Sequence, residues 1–140
     1  MAASTSTAPR LSPYLVYADA PKAIDFLCRA FGFKERMRYP MPDGRIGHAE
    51  LTYEEGVLML ASAWEGFGLA SPRDLPALSA QVHCRVDDVA AHFARARDAG
   101  ATIVAEPSFE HGSTMYRALD LEGHRWIFAE AEREGAGGSS

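Results

Sequence analysis

The stretch Arg45-Ile46-Gly47-His48-Ala49-Glu50-Leu51-Thr52-Tyr53 holds the pair of side chains best placed to do chemistry. It alternates with a period of two: Ile46, Ala49, Leu51 and Tyr53 carry most of the apolar bulk, while His48, Glu50 and Thr52 share the opposite face. Side chains two apart on a strand point the same way, so an imidazole and a carboxylate stand side by side. Both groups ligate metals and move protons. The same pattern also describes a half-exposed strand with a salt-bridged polar face. The surroundings of the strand decide between the two.

Before this strand, residues 11–17 are a short apolar run and predict another. Asp19 then supplies a helix N-cap, with Pro21 in the first turn, where a missing N–H costs little. Ala23, Ile24, Leu27 and Phe31 form one helical face, and Gly32 closes the helix. Residues 33–39 predict a strand, Pro42-Asp43-Gly44 its turn, and Glu55-Gly56 a turn into a further strand over 57–61. The order β-α-β-β-β then recurs. A strand over 81–86 leads to a helix capped by Asp87 or Asp88, with inner face Val89, Phe93 and Ala96, closed by Gly100. Strands over 101–105, 114–120 and 125–129 follow, the last two joined by a Glu122-Gly123 turn. A unit repeated after about 68 residues most simply gives two twisted sheets, each backed by a helix. The sheet faces turned away from the helices would line a cleft.

The chain has 140 residues, 47% hydrophobic and 24% charged, which suits one globular domain. That domain is expected over 11–130, with modules 11–62 and 79–130, a disordered leader over 1–10 and a flexible tail over 131–140. A net charge of −5, without a basic stretch interleaved with aromatics, argues against nucleic acid and an anionic membrane surface as partners. Cys28 and Cys84 each sit in a core-like run and in no ligand-spaced pattern; together with first residues too polar for an export signal, this favours a reducing cytoplasm.

Several stretches together resemble the vicinal oxygen chelate superfamily, the glyoxalase/bleomycin resistance/dioxygenase group. They are Tyr17-Ala-Asp-Ala-Pro-Lys-Ala-Ile-Asp-Phe-Leu27 with Ala30-Phe-Gly-Phe33, and Gly44-Arg-Ile-Gly-His-Ala-Glu-Leu51. The second half adds Val86-Asp-Asp88 with Asp98-Ala-Gly-Ala101, and Asp120-Leu-Glu-Gly-His-Arg-Trp126. In the last, Leu121 stands where the family's Asp-Pro-x-Gly turn has proline. The resemblance implies an α+β fold of two tandem βαβββ modules forming a cleft or half-barrel, paired in a homodimer. Its members include lyases, ring-cleaving dioxygenases, thiol transferases and metal-free proteins that sequester antibiotics, so the fold does not fix the activity. In metal-dependent members His, Glu or Gln side chains hold one divalent ion. Those positions fall here near Ser12, Glu50, Gln81 and Ile127. Ile127 cannot ligate and Ser12 is a poor ligand, so the usual site looks dismantled.

The leading expectation is therefore a cytoplasmic homodimer that binds a small, partly aromatic molecule without metal or other cofactor, as in antibiotic or toxin sequestration. His48, Glu50, Gln81, His83 and Arg125 would make its polar contacts, and Trp64, Phe67, Phe109 and Tyr116 would stack on it. Trp64 and Phe67 belong to a connection over 62–78 that is long enough to act as a lid. Strand phase turns Trp126 toward the helix and Arg125 into the cleft. His92 reads as structural, and His124, after a turn glycine, as solvent-exposed. The alternative is a metal-dependent lyase or dioxygenase-like enzyme holding one divalent metal ion on His48, Glu50 and His83.

Overall fold

Each half of the chain folds as β-α-β-β-β. The computed structural model describes residues 8–131, so most of the expected leader and tail lie outside the described residues. The first half comprises β1 (Tyr14–Tyr17), α1 (Ala20–Phe31), β2 (Lys34–Pro40), β3 (Ile46–Tyr53) and β4 (Gly56–Ser62). A connection containing a short 3-10 helix, Pro72–Asp74, leads to the second half. There follow β5 (Val82–Arg85), α2 (Val89–Asp98), β6 (Thr102–Glu110), β7 (Ser113–Leu119) and β8 (Arg125–Ala129). The result is α+β, with two four-stranded mixed sheets in the orders β1-β4-β3-β2 and β5-β8-β7-β6.

Local chemistry explains the helix ends. The Asp19 carboxylate accepts the Lys22 N–H and Pro21 occupies the first turn, while Gly32 closes α1 in the left-handed region at φ 83°. Asp88 caps α2 by accepting the Ala91 N–H. The face of α1 formed by Ala23, Ile24, Leu27 and Phe31 is buried with Ala49, Leu51, Leu58 and Leu60 of the first sheet. Burying each large aliphatic side chain stabilises the fold by roughly 1.5–3 kcal/mol relative to exposure. Phe31 also meets Trp126 and Phe128 of β8, with ring centroids 5.5 and 4.7 Å away, so the helices and both sheets share one core. The Arg95 guanidinium of α2 donates to the Arg29 and Cys28 carbonyls in the last turn of α1, at 3.0 and 3.1 Å. A cation there satisfies carbonyls that lack helical partners.

The remaining sheet faces are open. Met37, Glu50, Met59 and Tyr14 are successive cross-strand partners and so lie in one row on the open face of the first sheet. His48 shares that face, as strand phase requires. In the second sheet Trp126 is buried in the core as expected, and Tyr116 is buried beside it, paired in register with Phe128. β6 extends well past the expected 101–105, which places Phe109 on a strand.

Candidate functional site

Among the described residues, a cleft of about 900 Å³ lies between β1, the connection 63–81, the start of β5 and the turn from β7 to β8. Leu69, Leu75 and Leu78 of the connection join Val16 and Val82 in an apolar wall. Trp64, Gln81 and Arg125 also line the cleft, with Arg125 Nε donating to Gln81 Oε1 at 3.1 Å. Trp64 and Phe67 do not both present faces to a ligand. They stack on each other, centroids 3.9 Å apart and planes 12° apart, leaving the indole one free face.

Buried carboxylates fasten the connection and both modules together. Glu122, only 3% exposed, accepts the Ala18 and Asp19 N–H groups at 2.6 and 2.7 Å and the Ser71 hydroxyl at 2.5 Å. Ser71 in turn caps the 3-10 helix by accepting the Arg73 N–H. Asp120 accepts the Tyr17 hydroxyl at 2.6 Å, the Trp126 indole N–H at 3.1 Å and the N–H groups of Glu122, Gly123 and His124. His124 is not solvent-exposed. It is half-buried on the cleft wall, donates Nε2–H to the Val16 carbonyl at 2.9 Å and meets the Tyr17 ring edge-on.

The His48–Glu50 pair forms as expected, with Nε2 3.0 Å from Glu50 Oε2. Two further groups extend it. Tyr14 Oη lies 2.8 Å from His48 Nδ1, and Arg36 Nε lies 3.4 Å from Glu50 Oε1. Tyr14 lines the large cleft and so carries the pair to its edge. Burial and the Glu50 charge raise the Tyr14 phenol above its ordinary value, so it is protonated at neutral pH.

The other expected site residues are dispersed. His83 lines a separate cavity of about 290 Å³ beside Tyr53, Cys84 and Arg85. Phe109 is 68% exposed on the far edge strand of the second sheet. Tyr116 is fully buried and bonded through its hydroxyl to His92 Nδ1 at 2.6 Å, so it cannot stack on a ligand. Tyr14, Ser71 and Glu122 were missed. For Tyr14 the available signal was phase: it stands two before Val16 in a strand read only as an apolar run.

Residues 9–128 match the model of the Glyoxalase/Bleomycin resistance protein/Dioxygenase superfamily. The chain belongs to that superfamily. Uncharacterised proteins of Mycobacterium bovis (strain ATCC BAA-935 / AF2122/97) and Mycobacterium tuberculosis (strain ATCC 25618 / H37Rv) are each 37% identical over 130 residues. Both matches cover 90% of this chain, and 86% and 76% of the respective relatives. The crystal structure of TioX from Micromonospora sp. ML1 is similar at 31% identity and a TM-score of 0.70, covering 87% of this chain and 98% of that one. A glyoxalase I mutant from Zea mays shares the fold at 17% identity and a TM-score of 0.67, over 88% of this chain and 44% of its own.

For this superfamily member the donor set does not fit the metal sphere that the alternative requires. Among the described residues no three His, Cys, Asp or Glu side chains converge to hold an ion. His83 does not join His48 and Glu50: it lines the smaller cavity, whose walls include neither of them. The Glu50 oxygens already face the His48 imidazole and the Arg36 guanidinium, and a cation beside a carboxylate opposes a second cation there.

Proposed function

We propose that the protein binds a small, partly aromatic molecule in the large cleft without a metal, as a sequestering or protective protein of the cytoplasm. The observation that carries this reading is the cleft itself. An apolar wall, one free face of an indole that is 46% exposed, and a Gln81–Arg125 pair meet around a space of about 900 Å³. Ligand clefts of this kind pair an apolar lining with a few placed polar groups. The ligand would lie on Trp64, with Phe67 backing the indole and Arg125 meeting an acceptor on the ligand's rim. A homodimer belongs to the same reading. Tyr39, 64% exposed on the open side of the first sheet, supports it as apolar surface that a second copy would cover.

Titration with anthraquinone-2-carboxylate and the neutral 2-(hydroxymethyl)anthraquinone tests the cleft. Both should quench tryptophan emission saturably, and Trp64→Phe should remove most of the change, since Trp126 is buried. Arg125→Gln should weaken the carboxylate several-fold and the alcohol little. An emission change that survives Trp64→Phe, or no saturable change with either compound, would overturn the reading. Sedimentation at micromolar concentration tests the dimer separately.

A further inference from the structure

The cleft has at its edge a phenol that ends a hydrogen-bonded chain. Tyr14 Oη is 2.8 Å from His48 Nδ1, His48 Nε2 is 3.0 Å from Glu50 Oε2, and Arg36 Nε is 3.4 Å from Glu50 Oε1. β1, β3 and β2 contribute these residues to one sheet. An ionised carboxylate only accepts, so the imidazole proton sits on Nε2 and faces Glu50. Nδ1 is then an acceptor, and the phenol donates to it. The Tyr14 oxygen keeps its lone pairs for whatever lies in the cleft. Burial rises along the chain: Tyr14 is 44% exposed, whereas the His48 and Glu50 side chains are 27% and 17% exposed. Tyr39 is the further titratable group beside the imidazole, at a centroid distance of 6.5 Å.

We propose that Tyr14, His48 and Glu50 form a proton relay that takes a proton from a carbon acid bound in the cleft. This rests on the cleft being the ligand site. The substrate class is a planar molecule, as the indole of Trp64 suits, with a C–H bond made acidic by an electron-poor ring. The C–H proton passes to Tyr14 Oη while the phenol's own proton passes to His48 Nδ1. The electron pair of the broken bond stays on the substrate, and the imidazolium formed lies against Glu50. The logic is that of a carboxylate–imidazole–hydroxyl set, in which the acid fixes the tautomer and stabilises the charged imidazole. Tyr14 touches the substrate; His48 and Glu50 act through it.

The test uses 5-nitrobenzisoxazole, a planar probe whose ring opens when a base removes its carbon-bound proton. The C–H bond breaks, the C–N double bond becomes a nitrile, the N–O bond breaks, and a coloured phenolate leaves. The full chain should open it saturably, on the order of 100-fold faster than buffer, the lower range for a positioned base. Tyr14→Phe should remove that gain while circular dichroism stays unchanged. Glu50→Gln offers Nε2 an amide N–H, which drives the imidazole proton to Nδ1 and blocks acceptance from the phenol. Turnover should then fall, and the nitrogen-15 spectrum of His48 should show the change of tautomer, which a merely structural strand tie would not couple to rate. No ring opening above buffer, or full activity in Tyr14→Phe, would overturn the relay. Quenching of Trp64 by the same probe reports binding separately. Quenching without turnover would sink the relay and leave the ligand site standing.

Discussion

Replacing Glu122 by Gln exchanges two oxygens for one oxygen and one NH2 group in a space that offers only donors. In the native fold Oε1 receives the Ala18 N–H and the Ser71 hydroxyl, and Oε2 receives the Asp19 N–H. The best Gln rotamer keeps its oxygen toward Ala18 and Ser71 and turns its NH2 against the Asp19 N–H. One backbone donor at the entry to α1 is then left without an acceptor, and the two surviving bonds lose their charge assistance. An unmade buried hydrogen bond costs about 1–3 kcal/mol. For a domain of this size each kcal/mol lowers Tm by roughly 3–4 °C, so a fall of about 3–12 °C is expected. Glu122→Ala removes both acceptor oxygens, leaves all three donors without them and should fall further. Thermal melts followed by circular dichroism measure both, and Glu55→Gln provides the contrast. Glu55 meets Arg85 at 3.4 Å with its side chain 78% exposed, and such surface pairs contribute little. Because Ser71 anchors the connection that walls the cleft, Glu122→Gln should also weaken anthraquinone binding. A Tm for Glu122→Gln within about 1 °C of the parent would refute the clamp, since even the smallest loss above exceeds that.

Two further outcomes follow from buried titratable groups. Burial holds the His92 imidazole below its ordinary value, outweighing the Phe31 carbonyl that accepts its Nε2–H at 2.9 Å. The unfolded chain therefore takes up this proton first, and stability is lost as the pH falls through the unfolded value of about 6.5 toward the folded one. Tm between pH 8 and pH 5 should drop more steeply in the parent than in His92→Phe, and equal slopes would remove His92 as the cause. Burial pushes the Cys84 thiol up to about 11 and raises Cys28 as well. Ellman's reagent at pH 8 should modify both far more slowly in the folded protein than in urea, and equal rates would contradict that environment.

The helices and most strands were legible because their signals are local. Asp19 and Gly32 bracket α1 through contacts within a turn, and the phase that turned Trp126 inward and Arg125 outward needs only neighbouring residues. β6 runs past the expected 101–105 and through Pro107, a residue that lacks the N–H a ladder uses. β6 is an edge strand, where a missing N–H costs no ladder bond, and its pairing with β7 continues past an irregularity between Ala105 and Ser108. Tyr116 was misplaced through its nearness to a loop. Its phase relative to Ala118, which pairs with Trp126, would have put it in the core.

The site residues divide along the same line. His48 and Glu50 were legible because two positions on a strand suffice to join them, whereas Tyr14 meets His48 across 34 positions. That meeting requires β1 to pair in parallel with β4, and β4 with β3, in a register that no single strand's sequence fixes. Glu122 is more remote still, 104 positions from Ala18, and by itself it is an ordinary turn residue. Sheet pairing thus turns an isolated polar pair into a chain that ends in the cleft, and a turn carboxylate into the fastening of that cleft's wall. Strand phase finds groups that share a face, but their chemical role depends on which strands lie alongside.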